Sequence, residues 1–528
     1  PVSFIAGPFD PSVSDISVSK ATIVADGADS TVVTVVVRDA EGNPISGSVV
    51  TLECTGSGNE IRQPVGLTGS DGQVVGSVKS TVAEGKTIRS RANGVYLSES
   101  VPVTFVPGPF DPGASEIQVD KTAAIADGVD AIEATVYVRD ADSNPLAGVL
   151  VTIECTGSGN AITQPAAVTG ADGRAVGYVR STVAEIKSIR ARAAGALLDD
   201  VVVIAFTAGT LHHFVVTHAG TAIAGTAASV SIDARDANNN KLTSFSGAVK
   251  VYPNRAAAAD AATWGLGNAA GFIMSEVGDT VTYQFVSADG GDAELLLTDR
   301  MVESITISAS CGGVVSTSAT SLSVFPAGAE RILAVSGEGQ RAVVNTPVPL
   351  PLVVAVEDAY GNRVPGVTVS FAATAGGGVI DASVALPDLQ TTAVTGSQGT
   401  ASCEYWRLGT TSGLNTNEAT ASILSGSTRT ALFTATTDHG AAASITLAPA
   451  SKAVTVGTET IVTATLRDEF SNLVFSEYVT MYVKDTPDGY LTAAAGSSTE
   501  ELSLWMRRGM SDSTGAVSVT YHAPAAAG

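Results

Sequence analysis

Laid over itself, the chain repeats. The string GPFDP at residues 7–11 returns at 108–112, ECTGSGN at 53–59 returns at 154–160, and STVAE at 80–84 returns at 181–185, a common offset of 101 residues. A unit that recurs at fixed spacing folds as a module, so one copy and its junctions decide the architecture. A looser marker runs further along the chain. A pentad that opens with Asp and closes with Asn occurs at Asp39/Asn43, Asp140/Asn144, Asp236/Asn240, Asp358/Asn362 and Asp468/Asn472, each between two apolar, β-branched runs. Phe followed three residues later by Gly recurs at Phe105/Gly108, Phe206/Gly209 and Phe325/Gly328, with a Gly-less version at Phe433. These markers divide the 528 residues into a terminal strand at 1–7 and units at 8–108, 109–209, 210–328, 329–437 and 438–528. The third unit is divergent and carries an insert; the fifth is incomplete.

Within a unit the pattern is of strands. Residues 31–37, 49–54 and 367–373 are β-branched or alternating runs bounded by Gly, Asn and Pro. No segment has a helical period long enough for a crossover helix, which excludes parallel βαβ folds. Frequent turn signals and about seven short strands per hundred residues predict an immunoglobulin-like sandwich. The expected fold is therefore all-β: tandem immunoglobulin-like β-sandwiches forming an elongated rod. A short helix is expected only in the Ala-rich stretch 256–262.

Composition narrows the partners. Apolar residues make up 45% and charged residues 15%, enough to bury several cores, while the net charge of −23 argues against phosphate binding and so against nucleic acid. The same charge disfavours anionic membrane surfaces, and no stretch of 18 uninterrupted apolar residues predicts a membrane span.

The strings VVVRDAEGNPISGSVVTL, TGSDGQVVGSV, VAVEDAYGNRVPGVTVSFAATAGGG and YWRLGTTSG resemble the group 1 bacterial immunoglobulin-like domains of the intimin and invasin family of surface proteins. The resemblance is strongest in units one, two and four. It implies non-enzymatic spacers that hold an adhesive tip away from a bacterial surface, and hence a secreted or cell-surface location. The family's membrane barrel and lectin-like tip have no counterpart in these residues, so no receptor-binding residue carries over.

Each group of reactive side chains has a plainer reading. Asp140, Asp142 and Asn144 match the first, third and fifth positions of a calcium loop, but Pro145 and Val151 stand where Gly and a bidentate Glu are needed. The pentads read instead as hairpin turns, with Asp accepting backbone N–H groups and Asn adopting positive φ. Calcium at the junctions near Asp10 and Asp111 is the remaining metal candidate. Cys54, Cys155, Cys311 and Cys403 fall one to each of the first four units, so no sandwich can bridge itself, and Cys54 and Cys155 alternate with Val50/Leu52 and Val151/Ile153 as buried small hydrophobes. His212 and His213, placed on one strand, point to opposite faces, and His218, His439 and His522 read as solvated. Trp264, Tyr405, Trp406 and Trp505 read as core filling rather than a glycan platform. No catalytic, cofactor-binding or metal-ligating residue is assigned, and no cofactor is expected.

The expected function is a non-enzymatic structural rod or spacer of a bacterial cell-surface or extracellular protein. Its partners are neighbouring repeats, other copies of the chain, and a host or surface receptor reached through other segments. One alternative is a self-assembling fibre or surface-layer subunit. Another is a glycan- or receptor-binding module using third-unit loops around the insert 253–271. Residues 1–7 match 101–108, the last strand of a unit, and aligning Gly515 with Gly72 leaves the fifth unit without its last two strands. The simplest reading is a window on a longer polypeptide; the alternative is that residues 1–7 of one copy complete the fifth unit of the next.

Overall fold

The computed structural model describes residue 2 and residues 5–255, 261–380, 389–484 and 488–525. The first sandwich has nine strands: β1 (Asp15–Val18), β2 (Thr22–Val24), β3 (Ser30–Val36), β4 (Val50–Cys54), β5 (Asn59–Arg62), β6 (Gln73–Ser80), β7 (Gly85–Ala92), β8 (Val95–Tyr96) and β9 (Val101–Val106). One sheet runs β1-β3-β6-β5 and the other β2-β9-β7-β4, with β8 on β7. Every pair is antiparallel except β2 with β9, and the chain passes from one sheet at β1 to the other at β2. The strict alternation of β3 puts Thr31, Val33 and Val35 inside and Val32 outside, as a half-buried strand requires. Ile23, Val33, Val35, Val78, Ile88 and Phe105 meet in the core between the sheets.

Gly72 shows why the repeated Asp-Gly hairpin keeps its glycine. Its φ is +71°, and a Cβ there would lie 2.6 Å from the Val37 carbonyl. Gly173 repeats this in the second sandwich, with φ +72° and 2.6 Å to the Val138 carbonyl. The second sandwich reproduces both sheet orders of the first, and its core gathers Ile132, Val136, Val179, Ile189 and Phe206.

The third sandwich enlarges one sheet with a hairpin, Phe272–Val277 and Thr280–Gln284, against Ala248–Asn254. The expected helix at 256–262 falls mostly outside the described residues; Ala262 begins strand Ala262–Leu266. Helical structure among the described residues is a single 3₁₀ turn, Ser287–Asp289. Phe325 is 53% exposed, because its register places the buried Val324 where Phe105 stands in the first sandwich.

The fourth sandwich packs Leu352, Val354, Phe371, Trp406 and Phe433. The fifth pairs a four-stranded sheet, Ser444–Ala448, Glu459–Arg467, Ala516–His522 and Tyr490–Ala493, with three strands, Tyr478–Tyr482, Met506–Met510 and Thr499–Ser503. Among the described residues, Tyr478–Tyr482 pairs only with Met506–Met510, whereas its third-sandwich counterpart Ala248–Asn254 is flanked on both sides. A groove of about 560 Å³ remains between the sheets, lined by Leu447, Val462, Met481, Leu491, Val519 and Tyr521.

Candidate functional site

The five Asp-to-Asn pentads form one structure. In each, the Asp N–H donates to the Asn carbonyl, from 3.0 Å in Asp39/Asn43 to 2.9 Å in Asp358/Asn362. One carboxylate oxygen of the Asp accepts the N–H groups two and four residues on, at 3.0 and 2.8 Å for Asp140 and 2.9 and 2.9 Å for Asp358. Positive φ falls on the residue before the Asn and not on the Asn itself: Gly42 at 82°, Ser143 at 68°, Asn239 at 66°, Gly361 at 88° and Ser471 at 74°. This corrects the sequence expectation: in every pentad the residue before the Asn donates its N–H to the Asp carbonyl, at 2.9 Å from Gly42 and 3.0 Å from Ser143, and the left-handed residue that closes such a turn is that one.

The second carboxylate oxygen reaches the chain entering the sandwich. Asp39 accepts from the Gly7 N–H at 2.7 Å, Asp140 from Gly108 at 2.7 Å, Asp236 from Gly209 at 2.9 Å, Asp358 from Ala327 at 3.0 Å and Asp468 from Gly440 at 2.9 Å. The same oxygen accepts one amide hydrogen of the pentad Asn, at 2.9 Å in Asp140. All five carboxylates are buried. Asp39 is held below the usual carboxylate range chiefly by Asn43. At Asp236, Asp358 and Asp468 burial is the largest influence and pushes upward, but the hydrogen bonds together outweigh it and leave each group lowered.

The Asn then crosses to the sandwich before it. Asn144 Oδ1 accepts the Ala83 N–H at 2.8 Å while its Nδ2 donates to the Thr81 carbonyl at 3.0 Å. Asn240 does the same to Ala184 and Thr182 at 2.8 and 3.0 Å, Asn362 to Val302 and Arg300 at 3.1 and 2.8 Å, and Asn472 to Ser412 and Thr410 at 2.9 and 2.8 Å. Each carboxamide thus has its acceptor and both donors engaged, which fixes its orientation. One pentad therefore ties linker, own turn and preceding sandwich into a single hydrogen-bonded clasp. Tyr360 adds packing at the third junction: a Cβ on Gly225 would lie 1.9 Å from the Tyr360 hydroxyl.

Sequence reasoning missed the brace beneath the clasp. The Lys86 side chain is 0% exposed, its Nζ donating to the Ser57 carbonyl at 2.7 Å and to Glu84 at 2.6 Å. Glu84 also accepts the Ser57 N–H at 2.8 Å, so the residue after Ala83 is anchored to the neighbouring hairpin. Lys187, Glu185 and Ser158 repeat the arrangement at 2.7 and 2.6 Å. The signal was present in the repeated Val-Ala-Glu-x-Lys, whose Lys alternates into the core with Ile88.

Other candidates are dispersed. The Asp10 and Asp111 carboxylates cap their own loops, Asp10 through Ser12 and Asp111 through Gly113 and Ala114. Among the described residues no group of three or more His, Cys, Asp or Glu is arranged to hold a metal ion. All four cysteines are free thiols, but Cys54 and Cys155 are only partly buried, packed against the edge of their cores; Cys403 is the fully buried one. Burial pushes the Cys54, Cys155 and Cys311 thiols up. His212 and His213 touch, their Nδ1 atoms 3.2 Å apart, because His212 precedes strand His213–His218 and escapes its alternation. Trp264 and Trp406 fill cores at 6% and 1% exposure, whereas Trp505 is 51% exposed and does not. Among the described residues of the insert, Trp264 lies in strand Ala262–Leu266 and donates its indole N–H to the Asp279 carbonyl at 2.9 Å.

Residues 13–106 and 114–207 match the family model of the bacterial Ig-like domain (group 1). The two matches span the first and second sandwiches. The inverse autotransporter adhesin YeeJ of Escherichia coli strain K12 is 28% identical over 177 residues, which cover 31% of this chain and 7% of that protein's length. Among solved structures, the Escherichia coli adhesin FdeC is 17% identical with a TM-score of 0.37, over 62% of this chain and all (100%) of that one. Invasin, described as a bacterial integrin-binding protein, is 16% identical with a TM-score of 0.36, over 80% of this chain and 79% of its own. No helix among the described residues is long and apolar enough to cross a membrane.

Proposed function

We propose that this chain is a non-enzymatic spacer of a bacterial surface protein, five sandwiches in series with boundaries near residues 108, 209, 328 and 437. Its work is to hold whatever it carries at a set distance. The observation that carries this reading is the clasp, which recurs at four successive junctions with the same two backbone contacts. Flexible tethers need no such contacts; a strut does, because each fixed junction removes a hinge. The relative YeeJ, named as an adhesin, supports a surface-adhesion setting.

With sandwiches of about 35 to 45 Å, from strands near ten residues at about 3.3 Å each plus end loops, the strut spans roughly 170 to 220 Å. Small-angle X-ray scattering of the purified chain tests this directly. A rod-like profile with a maximum dimension in that range is expected; a compact profile, or one broadened by free hinges, overturns the reading.

A further inference from the structure

On the outward face of the fifth sandwich, Tyr478, Thr480 and Tyr482 point to solvent while Val479 is buried, the alternation of a half-buried strand. They stand directly opposite Met510, Arg508 and Met506, and Glu500 stands opposite Arg508 on its far side. The two tyrosines are 61% and 63% exposed. In three other sandwiches the first strand after the pentad is polar at such positions: Thr51 and Glu53 are paired with Arg91 and Arg89, Lys250 with Thr282, and Ser370 with Thr392. The fold therefore needs no rings here, and a contiguous exposed patch of this kind marks a contact surface. A strand pairing at the open edge of Tyr478–Tyr482 lies beside this face and does not cover it.

The patch mixes rings with a fixed polar centre. The Arg508 guanidinium lies 4.9 Å from the centre of the Tyr478 ring and donates to Glu500 at 2.8 Å, which holds its position and cancels its charge. Tyr482 stands about 13 Å from Tyr478, at about 3.3 Å per residue. This arrangement suits a chain of pyranose sugars, whose C–H faces pack on aromatic rings while their hydroxyls bond to polar groups alongside. The face is flat and open, so it admits a polymer lying along it but gives a small solute no enclosing walls. Charge selects among such chains: a protein of net charge −23 repels an acidic polysaccharide, and the paired Arg508 leaves no free cation to attract one.

We infer that Tyr478, Tyr482 and the Arg508–Glu500 pair form a binding platform for a neutral polysaccharide. Tyr482 supplies the stacking ring, the ion pair bonds the sugar hydroxyls, and Tyr478 braces Arg508. This adds a binding activity to the spacer and stands independently of that reading.

The test titrates the full chain by calorimetry with two neutral probes, cellohexaose and chitohexaose, and with a hyaluronan hexasaccharide as the acidic control. Saturable binding of at least one neutral probe is expected, with the acidic control bound at least tenfold more weakly. Tyr482→Ala is expected to weaken binding about tenfold, the loss of one stacked ring. Tyr482→Phe keeps the ring and is expected to bind within about twofold of the unaltered chain, which separates lost stacking from a disturbed fold. Absence of binding by both neutral probes, equal binding of the acidic control, or an affinity unchanged by Tyr482→Ala overturns the inference. Self-association of the chain that Tyr482→Ala abolishes also overturns it, since the face then belongs to a second copy.

Discussion

The Ala83 N–H lies 2.8 Å from Asn144 Oδ1, a bond between two sandwiches and across 61 residues of chain. The acceptor is part of a turn and the donor part of a loop, and neither strand system contains both. The junction is thus a third kind of structure, built from the ends of two modules.

Replacing Asn144 separates junction from fold. Asn144→Ala removes contacts to Ala83, Thr81 and Asp140 but leaves the turn's backbone bonds, so the second sandwich should lose only about 1 kcal/mol. Asn144→Asp should cost more, since it sets a carboxylate against the Thr81 carbonyl and the Asp140 carboxylate. Both should widen the distribution of distances between spin labels on the first two sandwiches, with melting of the third unchanged. An unaltered distribution would show that the clasp does not stiffen the junction.

Asp358 holds the N–H groups of Ala327, Tyr360 and Asn362 in a buried site. Asp358→Ala strands these donors and should destabilise the fourth sandwich by about 2 to 4 kcal/mol. The pH sign follows from the lowered carboxyls of Asp236, Asp358 and Asp468. A depressed folded value contributes stability that is full above the unfolded value of about 4 and is lost as pH falls through the lower folded value. Junction stiffness should therefore be flat from neutral pH to about pH 5 and fall below about pH 4. Calcium should leave melting unchanged; a rise abolished by Asp358→Ala would reveal a metal site.

What the sequence disclosed, and what it withheld, divides along the range of the interaction. Asp39 and Asn43 are legible as a turn because the Asp39 carboxylate accepts the Glu41 and Asn43 N–H groups and the Asn43 amide returns to that carboxylate, all within four residues. The crossing from Asn144 to Ala83 is not legible, since no local period reports a contact between modules. Cys54 shows a second limit: alternation assigns a direction, but the last residue of β4 stays only partly buried. His212 fails for a related reason, as the alternation rule was applied one residue before the strand began.

The thiols should behave as four separate reporters. Cys54 and Cys155 are partly buried with raised pKa values, so both should label slowly at neutral pH, and Cys403 most slowly of all. Intact mass without reductant should show no disulfide. Cys54→Ala should cost about 1 kcal/mol, since few core contacts are lost. Detection of a Cys54–Cys155 bridge would contradict the separation of the two sandwiches.

The fifth sandwich should be the first to unfold. Its buried cluster is Ala464, Leu466, Val474, Val479 and Val517, against a first-sandwich cluster that adds Ile23, Leu52, Ile88 and Phe105 to its valines. Ile445 and Leu447 stay 53% and 50% exposed beside the open groove. Less apolar area leaves water, so the hydrophobic term per residue is smaller while the entropy of ordering each residue is not. Hydrogen exchange should show strands Glu459–Arg467 and Ala516–His522 opening at lower free energy than β3 and β6. Two substitutions sharpen the test. Ile445→Thr should change stability by less than about 0.5 kcal/mol, whereas Val519→Ala, at 1% exposure, should cost about 1 to 2 kcal/mol. Equal protection in the first and fifth sandwiches, or equal cost for the two substitutions, would mean that the groove is closed in solution and the fifth core complete.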